Sequence, residues 1–266
     1  DEWNLTFDAK EHLYLQYIKR GSKHGRAIWL STSKDFETWT EPELIFEADD
    51  LDQELGKQRI KARIADPRMQ RHVYIDDLND DDPDSPHWRS AGNIDVYTMS
   101  PSRYESLYIG FPAMYHATGK NTINNTDGFH LVELISSRSL KNWTRQGDRK
   151  AFIPLSPIGS GAYDTVQMIG PTSAVVRDNE LWFYYTGIMT RGPEYQTPGA
   201  ASYKHLGGGI CLAVLRRDGF ISLDAGEQAG TIQTEPFKLS GTKLLVNVDA
   251  PKGDLRVELL DGKGKV

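Results

Sequence analysis

The chain has 266 residues, 38% of them hydrophobic, enough for a sizeable core in one large β domain or two ordinary domains. Its formal net charge is -6, and Lys and Arg are scattered rather than gathered into a stripe, so nucleic acid is excluded as an expected partner. No apolar stretch approaches the ~20 residues of a membrane span, and a single cysteine, Cys211, leaves no disulfide within the chain.

Aromatic residues make up 10% of the sequence and fall in short alternating runs bounded by Gly, Asn, Asp and Pro, the composition of strands. In chain order, WNLTF (3–7) reads as a strand, DAKE as a turn, HLYLQYIK (12–19) and RAIWLSTS (26–33) as strands, KDFE as a turn and TWTEPELIF (38–46) as a closing strand. The best helical stretch, LDQELGKQRIKARI (51–64), lacks a clean apolar stripe. A second unit runs DVYTM, turn SPSR, YESLYIGFP, a longer loop, HLVELISS, turn RSLK and NWTRQG. The third runs TVQMIGPTSAVV, turn RDNE, LWFYYTGIM, a loop, GICLAVLR, turn RDGF and ISLD. Each unit, about 1–47, 94–146 and 164–224, reads as a four-stranded antiparallel meander, and the repetition is that of propeller blades. The sequence therefore predicts an all-β β-propeller over 1–235. It is followed by a strand–turn–strand pattern over 236–266 that reads as the start of a β-sandwich.

An up-and-down blade sends its connections alternately to two faces. The turns DAKE, SPSR, RDNE, KDFE, RSLK and RDGF are all short, whereas 20–25, 48–93, 113–128, 147–163 and 190–208 are the connections expected on the opposite face. Binding and catalysis favour long loops on a rigid scaffold, so the site is expected at that end. The nine residues STSKDFETW (31–39) and their counterpart ISSRSLKNW (135–143) then fall on the far face, with Trp39 and Trp143 as structural residues.

The first strands open with acids, Asp95 in NIDVY and Asp164 in AYDTV, and glycoside hydrolysis needs two carboxylates at fixed separation. Glu194 is a further candidate for the acid. Asn4, Tyr97, Tyr115, His116, Arg149, Gln167 and Arg191 offer aromatic faces, forks and acceptors for a polyhydroxylated ligand. The histidines lack metal-ligand spacing, so no metal site is assigned. The acidic run DDLNDDDPDSP (76–86) could hold a structural calcium through Asp77, Asn79 and Asp81, but Asp82 stands where an EF-hand loop needs Gly, and a solvated insertion is the preferred reading. Cys211, in GICLAVL, reads as a small core residue.

The pattern LYLQYIKR…STSKDFETW, with LVELISSRSLKNWTRQGDR and ELWFYYTG, resembles the five-bladed β-propeller glycosidases, the group of families 32, 43, 62 and 68. That resemblance implies a glycoside hydrolase acting on a polysaccharide or oligosaccharide, with no cofactor, and with its acids on the inner strands of the first three blades. The invertase-like Asn-Asp-Pro-Asn and Glu-Cys motifs are absent, and the family's acid Glu has no clear counterpart. Two alternatives stand beside it: a non-catalytic carbohydrate-binding propeller, and a glycoside phosphorylase. DEWNLTFD is not a signal peptide, so the expected secreted or periplasmic location requires export before processing. The chain is expected to be a fragment at both ends.

Overall fold

The computed structural model describes residues 3–68, 92–120, 126–189, 208–238, 241–262 and 264. They form two bodies, Asp1–Ile221 and Ser222–Val266.

In the first body, β1 (Trp3–Asp8), β2 (Leu13–Ser22), β3 (Gly25–Ser33) and β4 (Glu43–Phe46) form an antiparallel sheet in chain order. This is the first predicted meander. The second repeat also runs as a meander, but its strands are broken. β5 (Ile94–Thr98), β8 (Ala113–Lys120) and β9 (Thr126–Val132) pair at one end, while β6 (Ser102–Tyr104), β7 (Leu107–Gly110), β10 (Ile135–Ser137) and β11 (Thr144–Arg145) pair at the other. The breaks contain Pro101 and Pro112, which have no N–H to give to a ladder. In the third repeat β12 (Gln167–Ile169) and β13 (Val175–Arg177), separated by Gly170 and Pro171, both pair with β14 (Glu180–Ile188), and β14 pairs with β15 (Gly208–Arg216). The predicted closing strand ISLD is not formed.

The repeats pack face to face in succession, as blades do. Leu15, Tyr17, Ile28 and Leu30 of the first meet Ile94, Val96, Met114 and Ile135 of the second. Phe111, Val132 and Leu134 of the second meet Met168, Leu181 and Phe183 of the third. Described residues 222–266 contain no strand, although their apolar residues alternate. A lone hairpin is marginal in water without a third strand or a packed face, so the pattern alone does not produce a ladder.

The repeated turns carry the far face. Asp35 accepts hydrogen bonds from the N–H groups of Glu37 (2.9 Å) and Thr38 (2.8 Å), and the Trp39 indole donates to the Phe36 carbonyl at 3.1 Å. In the second copy Ser139 replaces the aspartate, its hydroxyl accepting from Asn142 N–H, and the Trp143 indole donates to the Leu140 carbonyl at 2.8 Å. Phe36 and Leu140 adopt φ of 70° and 66° at matching positions. Both tryptophans close the turn rather than open the outer strand, and their role is structural.

Helix α1 (Asp50–Ile64) fills part of the connection between the first two repeats. Asp49 caps it, accepting from Asp52 N–H while the Asp52 carboxylate accepts from Asp49 N–H. Only Asp52, Gly56 and Ile60, four residues apart, are buried, which is why no apolar stripe marks it in the sequence. Gly56 lets the helix approach β5, since an added Cβ would lie 2.1 Å from Ile94 Cγ1. Gln53 completes the open edge of β5, donating to the Ile94 carbonyl at 2.7 Å and accepting from its N–H at 2.9 Å.

A charged clamp joins the first two repeats near the turns. Arg103 donates through Nη2 to Asp8 Oδ2 at 2.8 Å and through Nε to Oδ1 at 3.1 Å, and Tyr108 donates its hydroxyl to the same carboxylate. Burial alone would raise the Asp8 carboxyl, but Arg103, Tyr108 and the N–H groups of Glu11 and Lys10 more than offset it and hold it at about 2. This lies below the ~3.9 of an unfolded aspartate, so the stabilisation is complete above about pH 4 and disappears as pH falls toward 2. Urea midpoints measured across that window are expected to fall for the wild type and to change less for Asp8→Asn. Parallel curves would refute the clamp.

Candidate functional site

Strand pairing places three side chains in one row. Asp95 on β5 lies opposite Tyr115 on β8, which lies opposite His130 on β9. Directly paired residues project to the same face, and Tyr97, two residues beyond Asp95, shares it. The neighbouring row, Ile94, His116 and Phe129, projects to the opposite face, toward α1.

Asp95 is 0% exposed and is held by Arg26 at the start of β3. Arg26 donates through Nε to Oδ2 and through Nη2 to Oδ1, each at 2.8 Å, and its backbone N–H reaches Oδ2 at 3.2 Å. The approach depends on Gly25, at φ +111°, where a Cβ would sit 2.9 Å from Asp95 Oδ2. The guanidinium also lies 4.7 Å from the ring centroids of both Tyr97 and Tyr115, and Lys19 Nζ lies 4.3 Å above Tyr97. His130 meets both tyrosine rings, at 4.7 and 5.1 Å. Burial pushes the Asp95 carboxyl above the usual carboxylate range, opposed by Arg26 and more weakly by Lys19. The arrangement is one carboxylate with two aromatic faces and three basic side chains around it.

Asp164 is also buried, just before β12. It accepts the Tyr185 hydroxyl at 2.6 Å, and its backbone packs against Gly187, where a Cβ would come within 2.9 Å of Asp164 N. Cys211, opposite Tyr185 on β15, has its thiol pushed up by burial and by Asp164, which makes it a poor nucleophile. The row of Asp95, Tyr115 and His130 continues through a hydrogen bond from His130 N–H to the Val166 carbonyl at 3.3 Å. Asp95 and the segment just after Asp164 are thus three strand spacings apart, roughly 14 Å between backbones.

The other predicted site residues are dispersed. His116 is fully buried against Phe129, at 4.7 Å between ring centroids, and burial, with Arg59 beyond it, lowers its pKa to about 3, so it is neutral and faces away from Asp95. Arg149 is turned to the start of α1, where Nη1 and Nη2 reach Asp49 at 2.8 and 2.7 Å and Nη1 reaches Asp52 at 2.6 Å. Asn4 donates to the Met99 carbonyl at 3.4 Å, far along β5 from Asp95. Gln167 opens β12, three residues past Asp164. Glu194 and Arg191 lie outside the described residues, as do Asp77, Asn79 and Asp81 of the acidic run. Arg26, Lys19 and Tyr185 were not singled out by the sequence. Their signal is tertiary, each meeting its partner across 21 to 78 positions, which no local pattern displays.

No family model matches the chain, and no curated protein matches it. Solved structures similar to it include an N-acetylgalactosamine deacetylase from F. plautii in complex with blood group B trisaccharide, at 12% identity and a TM-score of 0.45 over 80% of this chain and 49% of that one. A family 117 glycoside hydrolase of the marine bacterium Zobellia galactanivorans matches at 15% identity and a TM-score of 0.43, over 81% and 51%. A β-1,2-mannobiose phosphorylase from Listeria innocua matches at 16% identity and 0.42, over 84% and 42%. The chain therefore spans about half the length of the structures it matches.

Proposed function

We propose that this chain belongs to a carbohydrate-active enzyme, a glycoside hydrolase using Asp95 and Asp164 as its carboxylate pair. The observation that supports it most is Asp95 itself: a fully buried carboxyl at the start of a blade's first strand, flanked by Tyr97 and Tyr115 and fixed by Arg26. Aromatic residues suit the apolar faces of sugar rings, and two acids at the heads of first strands supply the pair that glycoside hydrolysis needs. Asp164, oriented by Tyr185, is then the second acid of the pair. The reading needs no cofactor.

A second reading, phosphorolysis, is favoured by Lys19 and Arg26 near a single acid, since inorganic phosphate needs such cations. Screening the protein on a glycan panel with and without inorganic phosphate separates the two. Asp95→Asn and Asp164→Asn are each expected to lower turnover by about 10²–10⁴-fold, the size of an acid–base contribution, with unchanged circular dichroism. Full activity in both variants overturns the assignment.

A further inference from the structure

Gly187 on β14 lies opposite Gly209 on β15, one step along the same face from the pair of Tyr185 and Cys211. The segment that carries Asp164 is seated on the bare backbone these glycines leave. A Cβ on Gly187 would come within 2.9 Å of Asp164 N, and one on Gly209 within 2.9 Å of Tyr163 Cδ2 and 3.2 Å of its Cγ. The main chain there is pinned on both sides. The Asp164 carbonyl accepts the Ser156 N–H at 3.1 Å, the Thr165 hydroxyl donates to the Met189 carbonyl at 3.0 Å, and the Val166 N–H donates to the Ile188 carbonyl at 3.2 Å.

Tyr163 gains a fixed position from this seat but little burial. Its ring lies against the Gly209 backbone, yet the side chain is 48% exposed. Exposed rings elsewhere in the repeats meet other rings: Phe7 and Phe36 both meet Tyr14, and Tyr184 meets Trp182. Tyr163 lies on a glycine instead. A glycine inside a strand weakens it and marks a close approach; here the facing pair holds an exposed ring beside the Asp164 carboxylate, which Tyr185 orients at 2.6 Å. The two glycines are one strand spacing apart, ~4.8 Å, so the ring stands beside the Asp164 main chain at a distance comparable to the width of a sugar ring. An aromatic side chain with an apolar face and a polar tip matches the C–H face and hydroxyl rim of a saccharide. We propose that Tyr163 is a substrate-binding residue of the Asp164 half of the site, its exposed ring face stacking on the apolar face of a saccharide unit next to the bond cleaved. This role rests on Asp164 belonging to the reacting pair. Because the ring stands to one side of the carboxylate, it favours chains of sugars over a single sugar.

The test is equilibrium binding of cellohexaose, mannohexaose, xylohexaose and arabinohexaose to the full chain by calorimetry, with KM and kcat for any that is hydrolysed. At least one hexasaccharide is expected to bind the wild type. Tyr163→Ala should weaken that binding about three- to tenfold, the range of one aromatic contact. Tyr163→Phe and Tyr163→Trp should restore it, because the ring face rather than the hydroxyl makes the contact. For a hydrolysed hexasaccharide, the loss in Tyr163→Ala should fall on KM more than on kcat. No hexasaccharide bound by the wild type, equal affinity in wild type and Tyr163→Ala, or as great a loss in Tyr163→Phe as in Tyr163→Ala would overturn the stacking role. An inactive Asp164→Asn with unaltered affinity in Tyr163→Ala overturns that role alone. Full turnover in both Asp95→Asn and Asp164→Asn overturns the carboxylate pair, and the Tyr163 affinities then still decide the stacking.

Discussion

Replacing Arg145 by alanine is expected to cost about 3–5 kcal/mol of folding stability, because it removes one partner from a buried ion network. Arg145 donates to Glu133 Oε2 at 3.1 Å, to Asp52 and to the Glu47 carbonyl at 3.1 Å, and its guanidinium lies 4.6 Å from the Phe46 ring centroid. Glu133 and Asp52 are almost wholly buried. Without Arg145, among the described residues Glu133 keeps Arg59, at 3.1 Å, as its cation, and Asp52 keeps Arg149 and the Asp49 N–H. Burial already pushes the Glu133 carboxyl above the glutamate range, with Arg145 and Arg59 opposing, so loss of Arg145 pushes it further. A carboxyl whose folded pKa is raised favours the fold at low pH and loses that contribution as pH rises. The deficit of the variant should therefore be largest near neutrality and shrink as pH falls and Glu133 takes up a proton. Urea unfolding followed from neutral to acid pH reads this directly. A loss below about 1 kcal/mol at neutral pH would put the pair in the range of an exposed salt bridge and refute the buried network.

That network also marks the limit of what the sequence makes legible. The meanders are readable because alternation and turn chemistry are local: Trp39 and Trp143 sit at the same place in two turns, and Ser139 takes over the work of Asp35. The breaks in the strands were not read: SPSR (100–103), expected as a turn, holds the break between β5 and β6 while the turn falls at 105–106, TVQMIGPTSAVV is split at Gly170 and Pro171, and 113–128, expected as a loop, carries β8 and the start of β9. Nor was helix α1, because its buried stripe is an aspartate, a glycine and an isoleucine, and it is fixed by charges on residues 133, 145 and 149. For the site, the position of Asp95 and Asp164 at the heads of first strands followed from the repeat. The period of two in a strand argues that Tyr115 and His116 face opposite ways, and the structure divides them so. Arg149 could not be placed, because a guanidinium goes to whichever carboxylates the fold brings near it.

Arg26→Ala is expected to have an effect of similar size, about 3–5 kcal/mol, since it leaves a fully buried Asp95 without its fork. Arg26→Lys should rescue little: an ammonium cannot make both 2.8 Å contacts, and it gives up the planar contact between Tyr97 and Tyr115. If the loss comes from the stranded carboxylate, then Arg26→Ala combined with Asp95→Asn is expected to be more stable than Arg26→Ala alone, with a coupling energy of about 1–3 kcal/mol. Additive losses would mean that Arg26 stabilises through packing alone. The same variants separate structure from chemistry at this site. An Asp95 that only joins β3 to β5 would let activity follow the folded fraction of each variant. An Asp95 that takes part in bond cleavage would leave Asp95→Asn folded and inactive, and the double variant would recover stability with no recovery of turnover.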